Sequence, residues 1–455
     1  AIYPYKHAVV LTVDGGGTVW DPDSVYYAAS NSQIPEKTSD PEIMAKRTNT
    51  YAMDLFNKEF ATSYTAQAVV PSISGQNYTS MIHGIPWGDV DAEYQLTNDS
   101  SAQEYYADFG KETAKYPSMF QAIAKVAPER KQAAFAEWTN ILNGIIEPDA
   151  PVIGKASESK RSFYDVADYI KSEQYQDTAL VYMQSDWMDH VGHSSGYYND
   201  NFWSELAQYD DYYKAVVDAL KESGTYEETL IVSNADHGGS GYSHGSMDPS
   251  NMDIFIGLGG QTVDSGRRLE GGDNSDIAPL VLAALRIEKP DSMTGEVFDE
   301  RAFLSQEEMS KKNRDVEKVT FTVEDGTGTL SLSNQKSQTR VIDAVIDLDE
   351  ATVQSVDAKG GTILRQETED GQLKLTISYE NQPQELAELT FDGDVSGVKV
   401  YEIMLGTAEG KEIYADLENV QEETVFSDLT SWIQFMEGLS EEEYTQESWA
   451  VLEEA

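Results

Sequence analysis

Residues 181–196 read VYMQSDWMDHVGHSSG, an apolar run that ends in an aspartate and a histidine spaced Asp189-x-x-x-His193 beside a glycine. Alone, this pair is a weak metal-binding signal. Its weight comes from two other places where an apolar run stops in the same way. The run HAVVLTV at residues 7–13 stops at Asp14 followed by Gly15, Gly16 and Gly17. The run TLIVS at residues 229–233 leads into Asn234-Ala235-Asp236-His237-Gly238-Gly239, with His244 shortly beyond. Continuous apolar runs of this kind read as strands buried on both faces of a parallel sheet. Ligands of open α/β sheets bind outside the carboxyl ends of such strands. Three strands that end in acidic or acid/histidine clusters therefore predict an α/β domain with its site at those ends.

The intervening segments alternate accordingly. Residues 40–59, 163–173, 203–223 and 274–285 carry helical spacing, whereas 67–70, 178–183 and 252–258 read as strands. After 67–70 the chain turns at Pro71-Ser72-Ile73-Ser74-Gly75 and resumes as a helix. That turn places Ser72 or Ser74 at a helix N-terminus, where a serine acts as an N-cap or, aided by free amides and the helix dipole, as a nucleophile. We expect a mostly parallel α/β sheet flanked by helices over residues 1–305 and a linker at 306–316. A smaller all-β sandwich is expected at 317–420, where period-two segments are separated by Asp-Gly, Gly-Gly and Asn-Gln-Pro turns. It contains no histidine, which makes it an accessory module rather than a seat of chemistry. Residues 421–455 carry ten acidic and no basic side chains among apolar ones, and read as an acidic helical tail or the start of a further module.

Composition narrows the function. The chain has no cysteine, so any metal must be held by carboxylate, imidazole and hydroxyl ligands. A formal charge of −48, from 80 acidic against 32 basic residues, argues against a nucleic-acid or anionic-membrane surface. No apolar stretch approaches the roughly 18 residues of a membrane span. The N-terminus AIYPYKHAVV lacks the organisation of a signal peptide, although an export signal could precede it. Such a charge would repel an anionic substrate, so cations at the site would have to reverse the sign locally.

The strand-end clusters supply Asp14, Asp189, His193, Asp236, His237 and His244, with a hydroxyl from Ser74. These form two sets of oxygen and nitrogen donors suited to two zinc-like ions, each keeping an open position. In chain order, the strand ending at Asp14-Gly, the Ser74 turn, Asp189-His-Val-Gly-His193, Ala-Asp236-His237-Gly and Ser-His244-Gly resemble the alkaline phosphatase superfamily. Within it they are most similar to the type I phosphodiesterase/nucleotide pyrophosphatase branch, from roughly residue 9 to residue 295.

The resemblance implies one metal held by Asp189, His193 and His244. It implies a second held by Asp14, Asp236 and His237, with Ser74 bound to it as nucleophile. Pro71-Ser-Ile-Ser74-Gly-Gln-Asn77 matches the family's P-x-x-T-x-x-N pattern with serine in place of threonine, and Asn98 falls where diesterases carry an asparagine that contacts a phosphoryl oxygen. Ser72 is the competing nucleophile and Asp186 the competing ligand. His190 and His83 read as supporting or structural residues. Trp87, Trp138 and Trp187 read as core, or alternatively as pocket lining.

The expected activity is two-metal-dependent hydrolysis of phosphate esters through a metal-activated serine and a phosphoserine intermediate, with phosphodiester or nucleotide pyrophosphate bonds favoured. The cofactors would be two divalent ions, Zn2+ or, with the same ligands, Mn2+. The partner would be a small-molecule phosphate ester, its organic half recognised by loops between residues 84 and 162. On the same fold, phosphomonoesters, phosphonates and sulfate esters are the alternative substrates. A formylglycine sulfatase is disfavoured because Ser74-Gly-Gln-Asn77 departs from the Cys/Ser-x-Pro-x-Arg signature. A reading of another class is a non-catalytic cell-surface binding protein. The β-domain resembles cohesin-like or carbohydrate-binding sandwiches, which implies cell-wall or carbohydrate contact. The terminal segment resembles a helical repeat of Gram-positive surface proteins, which implies a secreted or cell-surface, Gram-positive bacterial location.

Overall fold

In the computed structural model, which describes residues 5–102, 115–298, 300–311, 316–333 and 338–421, the chain falls into two compact units, Ala1–Met309 and Ser310–Ala455. The expected acidic helical tail at 421–455 lies, after its first residue, outside the described residues. No helix among the described residues is long and apolar enough to cross a membrane.

The first unit is built on β1, His7–Val13, whose seven side chains are all buried. The other strands of its sheet are β2 (Ala61–Gln67), β3 (Lys131–Ala136), β4 (Ile153–Ala156), β5 (Thr178–Ser185), β6 (Thr229–Ala235), β7 (Asp253–Gly259) and β8 (Arg268–Leu269). They are ordered β8-β2-β7-β6-β1-β5-β3-β4. All neighbours pair parallel except β7, which runs antiparallel to both β6 and β2. The helices used below are α1 (Ser74–His83), α2 (Met119–Val126), α3 (Ser162–Ile170), α4 (Trp187–Ser195), α5 (Tyr209–Glu222) and α6 (Ile277–Ala284).

Successive residues of a strand face opposite sides, and on β6 they meet different helices. Ser233 Oγ lies 2.8 Å from the Tyr213 hydroxyl of α5, whereas Asn234 Nδ2 lies 3.6 Å from Met81 Sδ of α1. The central strands are thus covered on both faces, which explains why they read as unbroken apolar runs. On one side α3 packs on α5, and on the other α1, α2 and α6 pack on one another.

Two segments depart from the sequence reading. The edge-side strand is Ala61–Gln67, ATSYTAQ, rather than 67–70. Its Thr62 and Ser63 are buried with hydroxyls donating to the carbonyls of Phe56 and Gly271, so the segment lacks an apolar signature. The helical stretch at 40–59 is broken into Pro41–Met44 and Tyr51–Asp54, the latter continuing as a π-turn through Leu55–Glu59.

Register positions the site. Val13 pairs with Ser185 of β5 and with Ala235 of β6. The next residue of each strand is Asp14, Asp186 and Asp236, so three carboxylates leave three adjacent strands at one level.

The second unit contains β9 (Val316–Glu324), β10 (Thr327–Leu332), β11 (Val341–Asp347), β12 (Thr352–Asp357), β13 (Thr362–Glu369), β14 (Gln372–Ser378), β15 (Glu385–Asp392), β16 (Lys399–Gly406) and β17 (Glu412–Gln421). They form one all-β sheet ordered β12-β15-β10-β9-β17-β16-β11-β14-β13. Alternate residues such as Val319, Phe321, Ile342, Ile346, Leu375 and Ile377 meet in a single core. Asp325-Gly326 and Asp370-Gly371 turn two of its hairpins with positive φ at both positions, the backbone that Asp-Gly favours in tight hairpins.

Candidate metal centre

Ser74 is the first residue of α1, with extended Ile73 before it. Its Oγ lies 3.0 Å from His237 Nε2 and 3.4 Å from Asp14 Oδ1. Ser72 points elsewhere: its hydroxyl donates to the Ser246 carbonyl and accepts from the Gly245 amide, which fixes the loop carrying His244. Asp189 and His193 stand one turn apart on α4, as i, i+4 neighbours on one face, with His193 Nε2 3.2 Å from Asp189 Oδ2. His244 Nε2 lies 3.5 Å from Asp189 Oδ1, and its ring stacks on that of His237 at 3.6 Å between centroids.

Two triads result. Asp189, His193 and His244 form one, and Asp14, Asp236 and His237 the other; within each, one ligand atom per residue lies within 4.8 Å of the others. These are the groupings that the family resemblance implied. A third group, Asp14, Asp186 and Asp189, shares two of the same carboxylates.

The donor set fits divalent cations on its own geometry. Each histidine has its Nδ1 against a backbone carbonyl: His193 on Tyr242 at 2.8 Å, His237 on Gly238 at 2.6 Å and His244 on Ser72 at 2.7 Å. That contact fixes the proton on Nδ1 and leaves Nε2 as the donor atom, the usual outer support of a metal-binding imidazole. Asp236 Oδ1 accepts from the amides of Gly15 and His237 at 3.0 and 2.9 Å. Its Oδ2 is buried without a hydrogen-bond partner among the described residues and lies 3.2 Å from His237 Nε2. Two lone-pair acceptors held that close are stabilised by a cation between them.

Electrostatics agree. Burial, then the charges of Asp236, Asp189 and Asp186, push the Asp14 carboxyl well above the usual range. Burial and Asp189 push Asp236 up to about 7. Burial, then Asp189 and Glu137, push Asp186 to about 7 as well. For Asp189 burial acts upward, but the hydrogen bond with His193 and the nearby His237 and His244 outweigh it and hold the carboxyl below the usual range. His193 rises to about 9 through its bond to Asp189. Burial lowers His237, and burial together with His237 lowers His244 to about 4.

Several supporting residues carry no sequence signal of their own. The Tyr78 hydroxyl donates to Asp14 Oδ2 at 2.9 Å, and Gln184 Nε2 donates to the same oxygen at 3.1 Å and to Asp186 Oδ1 at 3.2 Å. Tyr78 follows Ser74 by one helical turn, and that spacing is the clue that could have found it. Tyr197 donates to Asp189 Oδ1. Its ring explains Gly192 in the Asp189-x-x-Gly-His193 motif, because a Cβ there would come within 2.3 Å of it.

Asn98 opens a short helix capped by Thr97, and its Oδ1 accepts the Gly75 amide at 2.7 Å. A Cβ on Gly75 would lie 2.7 Å from the Thr97 carbonyl carbon, so only glycine lets this asparagine sit beside the nucleophile. His83 is buried between the carbonyls of Tyr116 and Ile145, a structural tie. His190 stacks on Trp187, whose Nε1 donates to Glu205, and neither enters a triad. Trp138 stacks obliquely near Tyr78, and Trp87 donates to the Leu96 carbonyl.

No curated protein matches the chain. Among solved structures, murine ectonucleotide pyrophosphatase/phosphodiesterase 5 is 13% identical, with a TM-score of 0.50 over 66% of this chain and 100% of that one. The lipoteichoic acid synthase LtaP from Listeria monocytogenes is 13% identical, with a TM-score of 0.41 over 64% and 75% of the two chains. The first of these likenesses, at 13% identity, bears on the fold alone. The sequence profile of the family described as type I phosphodiesterase / nucleotide pyrophosphatase matches residues 20–371, beyond the first unit and into the second. The chain belongs to the type I phosphodiesterase / nucleotide pyrophosphatase family.

Proposed function

We propose that the chain hydrolyses phosphate esters, with phosphodiester or nucleotide pyrophosphate linkages preferred, and that Ser74 is the nucleophile. The observation that carries this reading is the position of Ser74 Oγ, at a helix N-terminus, 3.0 Å from His237 and 3.4 Å from Asp14, beside a second Asp/His triad. Divalent cations, Zn2+ by the character of the ligands, supply when bound the positive charge that favours a serine alkoxide and offsets charge on the reacting phosphoryl group.

The residues of the chain do the rest. Asp14 and His237 flank the Ser74 hydroxyl and would hold a cation beside its Oγ, while the positive end of α1 faces an incoming anion. Asn98, anchored through Oδ1 to Gly75, keeps its Nδ2 as a donor beside the nucleophile. Tyr78 and Gln184 hold Asp14 in place, and Tyr197 holds Asp189. In-line attack by Ser74 Oγ on phosphorus forms a phosphoserine ester and expels the alcohol. Water then cleaves the ester and restores the hydroxyl.

The test is turnover of bis(p-nitrophenyl) phosphate, p-nitrophenyl phosphate and p-nitrophenyl sulfate by wild type, Ser74→Ala and chelator-stripped protein. The diester should be the best substrate. Ser74→Ala should lower its rate by about a thousandfold or more, and full activity in that variant would remove Ser74 from the role.

A further inference from the structure

The geometry points to Tyr242 and Met247 as an apolar subsite for the leaving group, one that selects esters of flat aromatic alcohols. This assignment rests on the proposed hydrolysis at Ser74. In an in-line displacement the leaving oxygen departs on the side of phosphorus opposite the nucleophile. Ser74 lies against Asp14 and His237, so departure is toward the other triad, Asp189, His193 and His244.

That half is the one that opens to solvent, with the His193 side chain 45% exposed against 0% for His237. Its flank is formed by the loop between β6 and β7. Tyr242 supplies the carbonyl that holds His193 Nδ1, yet the residue is 55% exposed, and Met247, three residues past His244, is 72% exposed. Two large apolar residues are thus displayed to water on the loop that carries His244 and supports His193.

The loop that displays them is fixed rather than slack. Ser240 and Ser243 exchange backbone hydrogen bonds at 2.9 and 3.1 Å. Asn251 Nδ2 donates to Ser240 Oγ at 3.1 Å, and Ser72 clasps Gly245 and Ser246. The backbone that carries the ring and the thioether is therefore ordered before a ligand arrives, so binding need not bear that part of the ordering cost. A tyrosine ring favours offset or edge contact with another flat ring, and a methionine sulfur favours an aromatic edge. An aromatic leaving group meets both preferences. It also gains affinity without relying on surface cations, which this chain of net charge −48 scarcely offers.

The experiment compares 4-chlorophenyl methyl phosphate with hexafluoroisopropyl methyl phosphate, whose leaving groups are matched in acidity but differ in flatness. With zinc-loaded protein, Tyr242→Ala and Met247→Ala should each lower the aryl-to-alkyl ratio of kcat/KM, the tyrosine change by about tenfold. Tyr242→Phe should restore the ratio. A parallel arm titrates phenyl phosphate and inorganic phosphate calorimetrically into Ser74→Ala protein with and without Tyr242→Ala. The second change should weaken phenyl phosphate about tenfold and leave inorganic phosphate unmoved. An unchanged aryl-to-alkyl ratio, or equal weakening of both phosphates, would overturn the subsite. Absence of turnover by wild type together with ring-dependent binding would sink the proposed hydrolysis and leave the subsite standing.

Discussion

Replacing Asp236 by asparagine should stabilise the metal-free protein at alkaline pH and do the reverse once zinc is present. The side chain is fully buried, and its carboxyl is raised to about 7 by burial and by Asp189. In the unfolded chain the same group titrates near 3.9. Between these values the folded state holds the proton and the unfolded state has lost it, so stability falls as pH rises through the interval. At 1.36 kcal/mol per unit, the ionised carboxylate costs on the order of 4 kcal/mol above pH 7. Asparagine removes that cost while Oδ1 still accepts from Gly15 and His237, and its Nδ2 can donate to His237 Nε2, where the carboxylate oxygen stood 3.2 Å away. Thermal unfolding of chelator-treated wild type and Asp236→Asn should show the variant melting several degrees higher at pH 8 and equal at pH 4. In excess zinc, wild type should melt higher, because the carboxylate then pairs with a cation. A variant that melts lower than metal-free wild type at pH 8 would refute the claim that this buried carboxylate is held in readiness for a cation.

Zinc binding at pH 7 should release at least about one proton per chain, since His193, raised to about 9, Asp236, raised to about 7, and Asp14, held well above the usual range, must give theirs up. Calorimetry in buffers of different ionisation enthalpy reads this directly, and a buffer-independent heat would contradict it. Gly75→Ala should retain zinc and the wild-type Tm to within a few degrees, yet lose about a hundredfold in kcat/KM, because the new Cβ displaces Asn98 from beside Ser74; undiminished turnover would count against Asn98. His83→Ala removes the ring that ties the Tyr116 and Ile145 carbonyls and leaves a cavity, and should cost about 3–5 kcal/mol in unfolding measurements without altering zinc affinity.

The site was legible where burial and chemistry coincide. A strand covered on both faces must be apolar, so HAVVLTV and TLIVS announced themselves, the latter extending in the structure through Ala235, and an aspartate just past such a run stands out against it. Ala61–Gln67 and Thr362–Glu369 did not. The first satisfies buried hydroxyls by hydrogen bonding, and the second is exposed along its whole length, so neither an apolar run nor an alternation marks it. The triads' partition came from family resemblance; register accounts only for Asp14 standing beside Asp236, since Val13 and Ala235 pair, whereas Asp189, His193 and His244 meet through helix spacing and tertiary contact. Tyr78, Gln184 and Tyr197 act only through tertiary contact with Asp14 and Asp189, and single-residue identity cannot announce that.

The most direct test of the central claim is acid quench of zinc-loaded protein during turnover of bis(p-nitrophenyl) phosphate, followed by peptide mass spectrometry. The account predicts a p-nitrophenyl phosphoryl group on Ser74, absent from Ser74→Ala, which should also be inactive. Turnover that persists in Ser74→Ala, or an adduct carried by Ser72 or another residue, would contradict it.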